Sequence, residues 1–317
     1  MKKFVRFIED NTSIIIFLGI PIGLIFKELA FFKPYLTIFL MLVLFFTFLK
    51  IDIKDALTHI KRWQLILFIV FLHLILMPLL VFSIFKLINA QVFLIASMLM
   101  LASVPAGVAS TAMTDLLNGD TLLSTVITII THFVSPITIP FLFFILLRKV
   151  IHMNYLDTGI TLIKLIFIPL VLANVFKVLL PKITKSLITY NKFFTTSIIS
   201  ALGAVIVAIN RKFIIEHPQD AIIYILIAIP VYLSFITIPL LLTPNLNLKE
   251  RISIFTTKTF MNITIGVVLA VSFLDAKTSL VLTLAQIPWS FMLFPSQLIV
   301  KLINKKPPHN VGDKINL

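Results

Sequence analysis

Six stretches of this chain carry no Asp, Glu, Lys or Arg: residues 63–85, 87–114, 121–147, 193–210, 221–248 and 278–300. An apolar run of about 18 or more residues is long enough for a helix to cross the hydrocarbon layer of a bilayer. A water-soluble core has no room for six such runs, so the chain reads as an all-α integral membrane protein. Composition agrees. Of the 317 residues, 59% are hydrophobic and 13% charged, about half the charged share of soluble domains.

The net charge of +14 reads as basic loops at a membrane surface. No basic stripe with interleaved aromatics points to nucleic acid. Cysteine is absent, which excludes disulfides, thiolate metal sites and cysteine nucleophiles. The six histidines form no HExxH pair, and no GxxxxGK[ST] or GxGxxG loop marks a nucleotide site. No acid, base and nucleophile cluster at depth, so no enzyme is expected. The start, MKKFVRFIEDNTSIIIFLGIPIG, contains Glu9 and Asp10 and no small-x-small cleavage site. It reads as a retained first helix.

The uncharged runs and their breaks give ten spans: 11–30, 34–50, 64–86, 90–117, 121–148, 158–179, 193–213, 220–244, 252–274 and 278–303. Residues 51–62 alternate apolar and charged positions and are expected at the interface. The tail, 304–317, is polar and basic. With residues 1–10 placed in the cytoplasm, cytoplasmic segments hold 17 Lys and Arg and the opposite side 8. That asymmetry puts both termini inside. Ten spans divide into five (11–148) and five (149–303). An odd number in each half forces opposite orientations, the arrangement of an inverted-repeat carrier.

The fourth and ninth spans, corresponding members of the two halves, are the most interrupted. The fourth contains SVPAGVAST (103–111) and the ninth TKTFMNITIG (257–266). Pro105 removes a backbone donor and Gly107 loosens the chain, while Ser110, Thr111 and Thr114 supply side-chain oxygens nearby. Within a bilayer, such breaks survive only against protein or a water-filled cavity. They offer helix N-termini to an anion and free carbonyls to a cation.

The stretch PAGVASTAMTDLLNGDTLLSTVITIITHFVSP (105–136) resembles the bile acid:sodium symporter family. The matching positions are Pro105, Gly107, Ser110, Thr114, Gly119, Asp120, Ser124, Thr128, Ser135 and Pro136. The order and spacing of the spans extend the resemblance over about 12–303. It implies a panel domain, and a core domain in which broken helices four and nine cross. It also implies an organic-anion substrate, bile-acid-like, sterol-conjugate or a small carboxylate, and two sodium ions behind the crossing. By the same resemblance, Ser110, Ser124 and Thr128 match first-site ligands. Thr111 stands where Asn is usual. Pro105, Gly107, Thr114, Asn262 and Thr264 fall in the substrate and crossing region.

The ninth span departs from the family pattern. Thr257 stands where the sodium-binding Glu is expected, with Lys258 beside it and Met261 at the Gln. His73 replaces a second Gln in the third span. The second cation site has thus lost its charged ligand and both amides, and the first, where Thr257 falls, its carboxylate. Sodium prefers oxygen ligands, and an ammonium there would repel it. Lys258 is therefore expected to stand in for sodium, making transport sodium-independent. In a variant, Lys258 or His73 gains and loses a proton and H+ is the coupling ion. Against these stand snorkelling of Lys258 to the surface and pairing with Asp115. Lys164 reads as an interfacial snorkeller, Asn210-Arg211-Lys212 as a solvated helix end, and Trp289 and Pro295 as packing.

The resulting expectation is a secondary active transporter of an organic anion, embedded in the inner (plasma) membrane and working by alternating access. The alternatives are another ten-helix carrier, of auxin-efflux or arsenite type, and a degenerate membrane sensor or scaffold. No cofactor is expected beyond Na+ or H+ as coupling ion. The oligomeric state is left open.

Overall fold

The computed structural model describes residues 8, 12–50, 62–107, 109–148 and 154–304. The expectations for 1–10, for 51–62 and for the tail therefore fall outside the described residues, Ile8, Arg62 and Asn304 excepted. The described secondary structure is helical, apart from one isolated bridge between Ala106 and Met261.

In chain order the helices are α1 (Thr12–Ile25), a 3-10 segment (Lys27–Tyr35) leading into α2 (Leu36–Lys50), and α3 (Trp63–Leu87). Then come α4 (Val92–Ser103), α5 (Ala109–Leu116), α6 (Thr121–Leu147), α7 (Tyr155–Leu179) and the short α8 (Pro181–Thr189). The rest are α9 (Asn191–Ile209), α10 (Arg211–Glu216), α11 (Pro218–Leu242), α12 (Leu248–Thr259), α13 (Ile263–Phe273), α14 (Ala276–Phe291) and α15 (Leu293–Asn304).

Among the described residues six helical stretches are long and apolar enough to cross a bilayer, or seven if α14 and α15, bent by 44°, form one span. The fourth and ninth spans of the sequence reading are not continuous helices. Each is two short helices on either side of a break. The first is also shorter than expected, because α1 ends at Ile25 and the chain tightens into the 3-10 segment.

Local chemistry sets several boundaries. Asp120, Asn154, Asn247 and Asp275 accept from backbone N–H groups at the starts of α6, α7, α12 and α14. These are ordinary N-caps, each worth about 1 kcal/mol. In α3 a π-helical turn at Leu72–Leu76 precedes Pro78. An i→i+5 turn of this kind loosens the regular ladder and commonly marks a functional position.

Packing joins α1, α2, α7 and α9 into one group. Gly19 and Gly23 bring α1 onto α9: a Cβ on them would lie 2.5 Å from the Ser200 carbonyl oxygen and 2.3 Å from that of Ala204. Small residues four apart allow such backbone approach in membranes. A second group holds α3–α6 and α11–α14. The seams run through α6–α7, α2–α13 and α9–α14. Outward faces stay apolar, with Leu87, Ile137, Leu241 and Phe294 exposed, as lipid contact requires.

The end of α9 is the solvated terminus expected only at Lys212, which is exposed. Asn210 is buried, its amide donating to the Ile206 carbonyl, and Arg211 Nε donates to the Leu24 carbonyl at 2.7 Å. Arg211 thus satisfies an orphan carbonyl at the end of α1. Lys164 is exposed on α7, as a snorkelling residue would be.

Candidate functional site

The breaks between α4 and α5 and between α12 and α13 meet. Gly107 N donates to the Phe260 carbonyl at 2.9 Å and Asn262 N donates to the Pro105 carbonyl at 2.8 Å, making a two-bond antiparallel pairing around Ala106 and Met261. The Ala106 N–H, which this pairing leaves over, is taken by Thr131 Oγ1 at 3.2 Å. Each break therefore satisfies the other, as backbone at membrane depth must. Gly107 is required sterically, because a Cβ there would sit 2.5 Å from the Phe260 oxygen. Pro105 fits because its position needs an acceptor and no donor.

Beside the crossing, α5 and α6 bring together Ser110, Thr114, Ser124 and Thr128, all buried. Ser110 Oγ lies 3.3 Å from Thr128 Oγ1, and Thr114 Oγ1 lies 3.2 Å from Ser124 Oγ. Ser110 gives its hydrogen to the Gly107 carbonyl, Thr114 to that of Ser110, and Thr128 to that of Ser124. With those three hydrogens spent on carbonyls, Ser124 is left to donate to Thr114, and the remaining hydroxyl lone pairs can face a donor or a hard cation. Thr111 is half-buried. Thr257 is buried, but its hydroxyl turns back to the Ser253 and Ile254 carbonyls at 2.7 and 2.9 Å. Among the described residues no hydrogen bond joins it to the cluster. No group of three or more His, Asp or Glu side chains among them could hold a metal ion.

Lys258, the next residue on α12 after Thr257, is 1% exposed. Its Nζ donates to the His73 carbonyl at 2.9 Å and to the Ala102 carbonyl, and stands 4.9 Å from the centre of the Phe235 ring. Both carbonyls are available for structural reasons. Ala102 is in the last turn of α4, where carbonyls have no intrahelical donor, and His73 is in the π turn of α3. Three N–H donors thus meet two carbonyls and a π face. That set suits an ammonium; the lone pair of a neutral amine would oppose one of them. An ammonium here would also face the negative end of the α4 dipole. Neither snorkelling nor pairing with Asp115 occurs, since Lys258 is buried, Asp115 is exposed, and no bond links them.

His73 is clamped to α12 a second time, with Nε2 donating to the Ile254 carbonyl at 3.0 Å. Met261 and Thr264 are buried at the crossing. Asn262 makes no capping bond at the start of α13; its Nδ2 lies 3.4 Å from His132 Nε2. His132 Nδ1 faces the Thr128 carbonyl at 2.8 Å. A carbonyl only accepts, so Nδ1 carries the hydrogen and Nε2 of the neutral ring accepts from Asn262. The Phe48 ring of α2 meets the imidazole edge-on at 6.0 Å. Trp289 packs on Phe260, as expected of a packing residue.

The sequence reading did not single out Thr131, Phe235 or the Ala102 carbonyl. Thr131 had a signal, a hydroxyl one turn from Thr128 in an apolar run. Phe235 and Ala102 look like any other apolar residue of their helices.

The profile described as the Sodium Bile acid symporter family matches residues 37–217, more than half of the chain. The chain belongs to the sodium bile acid symporter family. It is a multi-pass membrane transporter, not an enzyme. It is also 22% identical over 218 residues to YocS of Bacillus subtilis (strain 168), described as an uncharacterized sodium-dependent transporter, with 68% of each chain covered. The family match takes in the hydroxyl cluster and His73, and ends before α12. The helix bearing Lys258 is thus beyond the matched stretch.

Proposed function

We propose that this protein is a secondary active transporter of an organic anion, bile-acid-like, sterol-conjugate or a small carboxylate, in which the Lys258 ammonium occupies the place of the second coupling cation. The observation that carries this is the buried ammonium itself, held by the His73 and Ala102 carbonyls three residues from the crossing at Pro105. Free carbonyls at a helix break are cation ligands in inverted-repeat carriers. Here a tethered cation fills them.

On this reading the six long helices, the bent α14–α15 pair, α1, and the broken pairs α4–α5 and α12–α13 make ten spans. The two five-helix repeats are 11–148 and 149–303, with opposite orientations and both termini cytoplasmic. The group α1, α2, α7 and α9 is the panel, and the group around the crossing is the core that moves against it. Asn262 and Thr264 face the solute. The relative named as sodium-dependent keeps that property on its own side of the comparison; this chain is read as needing no sodium at the second site. The hydroxyl cluster of Ser110, Ser124 and Thr128 favours a narrower second reading, in which one sodium still binds there and accelerates uptake.

The test is uptake of labelled taurocholate, oestrone sulfate and pyruvate into proteoliposomes, in sodium or in choline, by the parent and by Lys258→Ala. Uptake in choline that Lys258→Ala abolishes is expected. A rise in sodium without strict need for it selects the second reading. Strict sodium dependence of the parent overturns the lysine assignment.

A further inference from the structure

A sodium ion can leave an empty carrier, but a lysine cannot. Among the described residues no carboxylate pairs with Lys258: the ion pairs there are Arg62–Glu250 and Lys212–Glu216, and neither reaches it. Its ligands are uncharged, two carbonyls and an aromatic ring. They belong to α3, α4 and α11, all in the group of helices that contains α12. Any movement of that group therefore takes the charge with it.

Two of the described contacts around the group are uncharged. On one seam the Phe48 ring of α2 covers His132. On another, a small groove separates Phe17, Ile20 and Gly203 from Thr283, Gln286, Ile287 and Ser290, with no ionisable side chain in its lining. An unbalanced charge in such a place is costly, and the cost falls when an opposite charge sits close by. The crossing is close enough. Ala102, which holds the ammonium, is three residues from Pro105, which pairs with Asn262, a chain distance of at most about 11 Å.

We propose that the tethered charge makes this protein an anion exchanger: the core reorients when a solute anion balances Lys258, and is held on one side when the site is empty. This rests on the reading of the chain as an alternating-access carrier with Lys258 as a fixed cation. No coupling ion is then needed to drive turnover. Inward movement of one anion is matched by outward movement of another, and each reorientation carries a balanced pair.

Two measurements test it. In sodium-free proteoliposomes, labelled taurocholate, oestrone sulfate or pyruvate is offered to empty vesicles and to vesicles preloaded with the same unlabelled anion. Exchange is expected to exceed net uptake more than tenfold for the parent and for Lys258→Arg, and the gap is expected to close in Lys258→Gln, whose neutral amide keeps donors for the two carbonyls that Lys258→Ala leaves unpaired. Net uptake as fast as exchange in the parent overturns the exchanger and leaves the carrier reading standing. A strict need for sodium in both kinds of vesicle overturns the reading beneath it. The second measurement needs no solute. The chain has no cysteine, and a Cβ at Gly203 would meet nothing within 4 Å, so Gly203→Cys gives a single reporter in the groove. A membrane-impermeant maleimide, applied without anion to right-side-out and inside-out vesicles, is expected to label Gly203→Cys, with Lys258 intact, from one side only. Labelling from both sides at similar rates shows that the empty carrier reorients, and ends the proposal whether or not any probe anion is transported. Parent and Lys258→Arg decide this even if Lys258→Gln fails to fold.

Discussion

Replacing Lys258 by Met keeps a long flexible side chain and removes every donor. The His73 and Ala102 carbonyls are then left without their partner at a fully buried site. Unsatisfied buried acceptors cost about 1–3 kcal/mol each, so Lys258→Met is expected to destabilise the protein by about 3 kcal/mol. Thermal unfolding in detergent measures this. Unchanged stability would mean that the amine is solvated and the site misdrawn. Two glycines give a matched pair of predictions. Gly107→Ala forces a methyl to 2.5 Å from the Phe260 oxygen, whereas Gly203→Ala meets open space. The first is expected to cost about 2–3 kcal/mol and to abolish transport. The second is expected to be near neutral in both assays. Equal behaviour of the two would deny that the breaks pair through backbone.

At the scale of elements, the N-terminal end of α12 is pinned by more than its cap. Arg62, at the start of α3, pairs with Glu250, whose side chain is 8% exposed against 52% for the arginine. Nearby, the Asp120 N–H donates to Ser253 Oγ at 2.8 Å, and Ser253 Oγ donates to the Asp120 carbonyl at 2.8 Å. The loop before α6 and the start of α12 thus move as one piece. Removing one partner of a buried ion pair leaves the other charge stranded. With screening on the arginine side, Arg62→Ala is expected to cost about 2 kcal/mol. Adding Glu250→Gln to it is expected to restore part of that loss, because a neutral amide is cheaper to bury than a lone carboxylate. A double mutant no more stable than Arg62→Ala would mean that Glu250 reaches water.

For the whole molecule, the arrangement proposed here puts α8 and the start of α9 on the cytoplasmic side and α10 on the other. Single cysteines at Lys185 and Lys212, both on exposed or half-exposed helix ends, are expected to react with an impermeant maleimide from opposite faces, Lys185→Cys from inside. Reaction from the same face would remove α9 as a single crossing and break the odd number of spans in each half. The inverted repeat requires that odd number, since only then do the halves point in opposite directions.

Much of this architecture was legible before any coordinates. Uncharged runs located the long helices, because hydrocarbon excludes charge whatever the tertiary context. Pro105 and Gly107, and the polar residues of 257–262, marked the breaks, because proline and glycine act locally on the backbone. The hydroxyls of Ser110, Ser124 and Thr128 were singled out through the family resemblance of 105–136. The residues that give Lys258 its meaning were not. Ala102 and His73 contribute backbone oxygens, which every residue has, and their availability depends on where α4 stops and where α3 takes a π turn. Phe235 is one of 30 phenylalanines, and only packing selects it. Likewise, the sequence allowed Lys258 to snorkel, to pair with Asp115 or to replace a cation. Sequence determined that a charge lies in this helix; tertiary structure decided that it faces inward, because only there do three helices converge on one ammonium.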